Sequence, residues 1–264
     1  MLNIKQSFAV GMLALVLAMA ASHATEIGSG FIGAGVAVTP DYEGGEDYEA
    51  SPVLSGQYNF SGGRYIALLG GGDAARSGRM VVNLVRYSSW EMGPTLGVRY
   101  ARDDVSNSRV DSMDDIDWAT EGGGFVTYQS GALYASLGLS FDISDTYGGY
   151  IANLSAGFKQ EITSRLGIVY RTSMSYADDD YMDEYFGVDG DDAIRSGLPL
   201  YQADGGIKDF GLGLSVDYRF TPIWGIIGSF NAYRLSGDAK DSPIVDSEGN
   251  RNQLKAGLVL TYSF

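Results

Sequence analysis

The sequence predicts an all-β chain, a transmembrane antiparallel β-barrel of about 12 strands, and three observations predict it. Apolar residues recur at every second position in stretches of roughly ten residues, the length a tilted strand needs to cross a bilayer. The connections between these stretches alternate between tight turns and longer acidic links. The chain ends on such a stretch, whose apolar register is Leu254, Ala256, Leu258, Leu260, Tyr262 and Phe264.

From the N-terminus, Lys5 provides a positive start, Phe8 to Ala21 is apolar apart from Gly11, and Ser22-His23-Ala24 offers a small-x-small cleavage site. This pattern reads as an export signal over residues 1–24, too short an apolar run for a spanning helix. Residues 25–264 then form one barrel domain. Its expected strands are 27–38, 50–60, 63–71, 79–87, 90–102, 115–128, 131–142, 147–160, 163–175, 207–220, 223–235 and 251–264. The clearest is Phe210-Leu212-Leu214-Val216-Tyr218-Phe220, interleaved with Gly211, Gly213, Ser215, Asp217 and Arg219. Lipid outside and a small, polar lumen inside demand this alternation.

Ser61-Gly62, Ser88-Ser89, Gln129-Ser130, Glu161-Ile162 and Thr221-Pro222 are read as tight turns, and 39–49, 72–78, 103–114, 143–146, 176–206 and 236–250 as long links. Strict alternation places the short turns in the periplasm and the long acidic loops outside the cell. Trp90 and Trp224 follow tight turns, and Phe60, Tyr87, Tyr128, Phe220, Tyr262 and Phe264 fall near the same strand ends. Tyr100, Trp118, Tyr147, Tyr176 and Tyr233 fall near the other ends, so two interfacial girdles are expected. A soluble β-sandwich would account for neither the loop alternation nor the terminal aromatic strand.

Composition excludes several functions. The formal charge is −15, and −16 once Lys5 is lost with the signal, which argues against nucleic-acid binding. There is no cysteine, hence no disulfide, thiol chemistry or lipid-anchored Cys. The single histidine, His23, leaves with the signal, which removes the imidazole that Ser-His-acid catalysis needs and the usual zinc ligands. No catalytic, cofactor-binding or metal residues are therefore assigned, and no cofactor is expected. Gly28-Ser29-Gly30-Phe31-Ile32-Gly33 fits G-x-G-x-x-G, but it enters a strand rather than a helix, so it reads as small residues of the first strand.

The long links hold most of the acids, among them Asp41, Glu43, Glu46, Asp47 and Glu49, then Asp103, Asp104, Asp111 and Asp114. Asp178, Asp179, Asp180, Asp183, Glu184, Asp189, Asp191, Asp192 and Asp204 load the longest. They read first as a solvated rim. Divalent cations at these loops, bridging to lipopolysaccharide, are the sharper reading, although no D-x-D-x-D-G spacing occurs. Arg99, Lys159, Arg171 and Arg219 fall on the inward register with Asp142 and Asp217, as an ion-pair plug or a small pore wall. A largely occluded lumen is expected over a channel.

Tyr181-Met182-Asp183-Glu184-Tyr185-Phe186-Gly187, Pro40-Asp41-Tyr42-Glu43-Gly44, Trp90-Glu91-Met92-Gly93-Pro94 and Asp241-Ser242-Pro243-Ile244-Val245 resemble the MipA/OmpV family of outer-membrane proteins, and the resemblance covers essentially the whole mature chain. It implies an outer-membrane location in a Gram-negative bacterium and a scaffold that links a murein lytic transglycosylase and a penicillin-binding protein. For other members it implies a surface adhesin or receptor, or a small porin-like channel. It supplies no catalytic residues.

Overall fold

The computed structural model of the protein describes residues 28–70 and 77–264. The export signal expected at 1–24, and most of the link expected at 72–78, lie outside the described residues. Among these, twelve strands run in chain order: β1 (Ser29–Pro40), β2 (Tyr48–Asn59), β3 (Tyr65–Gly70), β4 (Ser77–Asn83, resumed as Val85–Tyr87) and β5 (Trp90–Arg99). They continue as β6 (Ala119–Ser130), β7 (Leu133–Asp142), β8 (Tyr150–Thr163), β9 (Leu166–Ala177), β10 (Gly206–Arg219), β11 (Trp224–Leu235) and β12 (Asn252–Ser263).

Each strand pairs antiparallel with its sequence neighbours, and β1 pairs with β12 from Phe31–Ser263 to Val38–Ala256. The sheet is thus a closed ring, the arrangement by which strands satisfy their backbone groups in hydrocarbon. Gly30 and Phe264 exchange N–H to carbonyl bonds of 3.0 Å each, so the terminal residue is part of the seam. In β7, Leu133, Leu137, Leu139 and Phe141 are exposed outward. Ser136, between them, turns inward to share a hydroxyl hydrogen bond of 2.8 Å with Thr127.

Two expected turns lie a little further along the chain. Gln129-Ser130 and Glu161-Ile162 are strand residues, and the reversals fall at Gly131-Ala132 and Ser164-Arg165. Local chemistry explains both shifts. Gly131 takes a left-handed φ of 58°, and the Thr163 hydroxyl accepts the Arg165 and Leu166 N–H groups. In β4 the partner register on β5 slips by one residue between Val81–Thr95 and Val85–Met92. The resulting bulge brings the Val82 carbonyl over Gly93, where a β-carbon would lie 1.8 Å from that oxygen, so only glycine fits there.

The aromatic girdle at the short-turn end is present: Tyr87, Trp90, Tyr128, Phe220, Trp224, Tyr262 and Phe264 are exposed, with Trp90 against Tyr128 and Trp224 against Tyr262. The girdle expected at the other end is only partly there. Tyr176 faces outward, whereas Tyr147 and Tyr233 are buried in a core formed by the long loops. Packing against loop side chains prevails over the lipid interface at these two positions.

Candidate functional site: a folded cap on a buried ion-pair cluster

The long loops fold together. Alternation ends beyond Pro40, Arg99, Asp142, Ala177 and Leu235, and short helices take over: α1 (Ser108–Asp111), α2 (Asp179–Phe186), α3 (Gly190–Ser196), α4 (Gly237–Asp241) and α5 (Pro243–Asp246). In α2, Tyr181, Met182, Tyr185 and Phe186 recur at helical spacing and form a buried face, with Asp179, Asp180, Asp183 and Glu184 on the other. That face joins Tyr42, Val110, Met113, Ile244 and Val245 from other loops and the inward residues Ile151, Ala177, Tyr233 and Leu235 of the wall in one core. The loops are therefore a cap continuous with the barrel mouth.

The acids expected to form a solvated rim are largely structural. Asp178 caps α2 and also accepts the Tyr150 N–H at 3.0 Å, and Asp189 caps α3. Asp41 accepts Ser106 N–H, Asp192 accepts Asp114 N–H, and Asp179 accepts Gly205 N–H. Asp142, expected in the lumen, instead organises the 143–149 loop by accepting the Ser144, Tyr147 and Gly148 N–H groups. Carboxylate bonds to backbone donors are among the stronger hydrogen bonds, so each acid ties one loop to another. Replacing Asp178 with alanine is expected to destabilise α2 by about 1 kcal/mol. Amide exchange at Tyr181–Phe186 should quicken while heat-modifiable gel migration of the barrel stays as it was.

Beneath the cap, charges cross the lumen. Arg99 Nε lies 2.7 Å from Glu121 Oε1, which also accepts the Tyr147 hydroxyl at 3.0 Å, and Arg79 lies 3.7 Å from the other Glu121 oxygen. Lys208 pairs with Glu43 from the first loop and with Asp209 at 3.0 Å. The Tyr181 hydroxyl donates to Glu43 at 2.7 Å, and the Ser175 hydroxyl donates to Asp209. The Tyr181 ring sits between Arg99, 5.0 Å from its centroid, and Lys208, 5.6 Å away. Three cations meet three carboxylates, and Lys208 and Asp209 are 0 % exposed. Pairing on this scale is what makes buried charge tolerable.

The consecutive inward side chains of Lys208 and Asp209 come from a bulge. Ser175 is opposite Asp209 and Tyr176 opposite Ile207, leaving Lys208 as the extra residue. Of the lumen charges read from the sequence, Arg99 belongs to this cluster. Lys159 lies over the Tyr134 ring, and Arg219 bonds the Ser164 carbonyl, both toward the short-turn end. Arg171 and Asp217 lie on strands away from the cap. Sequence reasoning missed Glu121, Lys208 and Asp209 and placed Glu43 among the solvated acids. An acid on the inward register of β6 was a usable signal for Glu121, whereas a bulge leaves none in the alternation.

The cap's outer surface carries a cleft of about 700 Å³ lined by Arg102, Asp114, Asp183, Glu184, Asp192 and Tyr201 among others. Burial raises the Glu184 carboxyl above the usual range, Arg102 opposes this, and Asp183, Asp192 and Asp114 add to it. Among the described residues, no group of three or more His, Cys, Asp or Glu side chains is placed to hold a metal ion, so the acidic loops present no assembled cation site.

Known proteins are similar to this chain in two ways. A protein of Escherichia coli (strain K12) named as the outer membrane protein YiaT is 26% identical over 233 residues, covering 86% of this chain and 88% of its own. An outer membrane channel from Pseudomonas putida F1 aligns with a TM-score of 0.47 at 9% identity, over 90% of this chain and 95% of its own. OmpT of Vibrio cholerae aligns with a TM-score of 0.41 at 8% identity, over 90% and 97%. A match spanning residues 32–264, the barrel and its cap together, makes this chain a member of the family described as MltA-interacting protein MipA.

Proposed function

We propose that the protein is a non-enzymatic outer-membrane scaffold that docks a murein lytic transglycosylase, and with it a penicillin-binding protein, on its short-turn rim. In this reading residues 1–24 direct export and are removed. The observation that carries the proposal is the separation of charge along the barrel axis. Although the chain is strongly acidic, Arg64, Arg86, Lys159, Arg165 and Arg219 are exposed at the short-turn end, against exposed Glu161 and partly exposed Glu91. The acids concentrate in the cap. A basic periplasmic rim held on a rigid barrel suits an acidic partner surface and offsets the lack of long periplasmic loops. The description of the family as MltA-interacting supports the same partner class.

The test is capture of a purified lytic transglycosylase by the barrel in detergent. Arg64→Glu combined with Arg165→Glu should weaken capture by about tenfold or more and make the remainder less sensitive to salt. Absence of capture, or capture indifferent to both reversals, would refute the docking site. A second reading, a cell-surface receptor or adhesin, is favoured by the acidic cleft of the cap, which faces outward beside lipopolysaccharide.

A further inference from the structure

A chamber of about 430 Å³ lies inside the barrel on the side of β1, β2, β11 and β12. Its inner wall is mostly apolar and includes Ala37, Val53, Ile227 and Val259. Tyr233, which belongs to the cap core, borders it, and Lys255 lies 5.5 Å from the Tyr233 ring. Three buried hydroxyls on its lining, those of Thr39, Ser55 and Ser77, have no hydrogen-bond partner among the described residues. Buried hydroxyls are normally paired, so these three mark a place suited to a polar group brought in by something else.

The wall beside this chamber is discontinuous. β3 pairs with β4 along its whole length, from Tyr65 to Gly70, but with β2 only from Gly56–Leu68 to Asn59–Tyr65. Above that point, Tyr48–Ser55 pair with β1 on one side, and among the described residues no strand pairs with them on the other. Eight residues of strand edge, roughly 27 Å at about 3.4 Å per residue, thus lack a ladder partner within the spanning region. Open strand edges are not stable against hydrocarbon alone, so an edge at this depth indicates a lined opening. Pro52, with no N–H to leave unpaired, occurs in this edge, where proline is tolerated in a sheet. The chamber's lining includes inward Val53 and Ser55 together with outward Pro52, Leu54 and Leu69, so it reaches through the wall at this gap.

We infer that the chamber is a binding site for a lipophilic molecule drawn sideways from the bilayer, with an apolar body and one or two hydrogen-bonding groups. The apolar wall takes the body, and the Thr39, Ser55 and Ser77 hydroxyls take the polar groups. A volume of this size is in the range of small-molecule sites. The inference stands apart from the docking of murein enzymes at the turn rim, and neither depends on the other.

The test uses the mature protein in lipid nanodiscs containing a trace of a long-chain fatty alcohol bearing a photoreactive diazirine. Irradiation and peptide mass spectrometry locate the adducts. Adducts are expected on inward Val53, Ser55, Ile227 and Val259 as well as on outward Leu258 and Leu260. Excess dodecanol should suppress the inward adducts and leave the outward ones. Val53→Trp and Ile227→Trp, each checked for heat-modifiable migration, should lower inward labelling by about tenfold, equivalent to about 1.4 kcal/mol of binding. Labelling confined to outward residues, or inward labelling that dodecanol does not suppress, would overturn the site. The competition arm decides even where a tryptophan variant does not fold.

Discussion

Replacing Lys208 with methionine is expected to destabilise the docked cap by about 3–5 kcal/mol, the range for removing one partner of a buried ion pair. Lys208 joins Glu43 of the first loop to Asp209 of the wall, and its side chain is fully buried. Without it, two carboxylates remain under the cap with the Tyr181 and Ser175 hydroxyls as donors. Neither hydroxyl can neutralise a charge, so the loss exceeds that of a surface pair, which is worth at most about 1 kcal/mol. The measurement is amide exchange at Tyr181–Phe186 and protease cleavage within 178–205. Both should accelerate, while heat-modifiable migration, which reports the closed strand ring, should persist. Glu43→Gln added to Lys208→Met should recover part of the loss, because it removes one of the stranded charges. Unchanged exchange in the single variant would mean that the cap is held by its apolar core and that the cluster is incidental.

The barrel was legible in the sequence because the bilayer imposes a period of two on residues such as Leu133, Leu137, Leu139 and Phe141, and no other environment tolerates that exposure. Turn positions were less legible, since Glu161-Ile162 sits between two good strand registers and only the Thr163 hydroxyl identifies where the chain reverses. The cap was hidden for a different reason. Its acids are numerous enough to suggest a solvated rim, yet Asp41, Asp178, Asp179, Asp189 and Asp192 bond to backbone donors. The helical spacing of Tyr181, Met182, Tyr185 and Phe186 was present in the same segment and points to a buried face. Tyr147 and Tyr233 show the limit of reading aromatic residues by strand position. A tyrosine at a strand end suits both the lipid interface and a core beneath folded loops, and only the loops decide between them. The bulge at Lys208 reverses the facing of one residue in an otherwise regular strand, and no periodicity announces it.

The same geometry predicts that removing the longest loop opens the barrel. Ala177 and Gly206 are directly paired across β9 and β10, so a short Gly-Asn-type turn can replace residues 178–205 without disturbing the strand register. The deletion removes Tyr181, Met182, Tyr185, Phe186 and Leu198 from the cap core, and with Tyr181 the ring between Arg99 and Lys208. Water then reaches a cross-section lined by Arg79, Arg99 and Lys208 on one hand and Glu43, Glu121 and Asp209 on the other. In planar bilayers the intact protein should give no discrete steps, and the deletion variant should give steps whose ion selectivity changes with Lys208→Met. The seam between β1 and β12 and the short-turn girdle lie away from the deleted loop, so the variant is expected to insert and to keep its heat-modifiable migration. Steps of equal size from both proteins would show that the lumen conducts with its cap in place and would favour a porin-like role. A silent, folded deletion variant would mean that the remaining loops seal the mouth by themselves, and that the buried charges serve the wall rather than the cap.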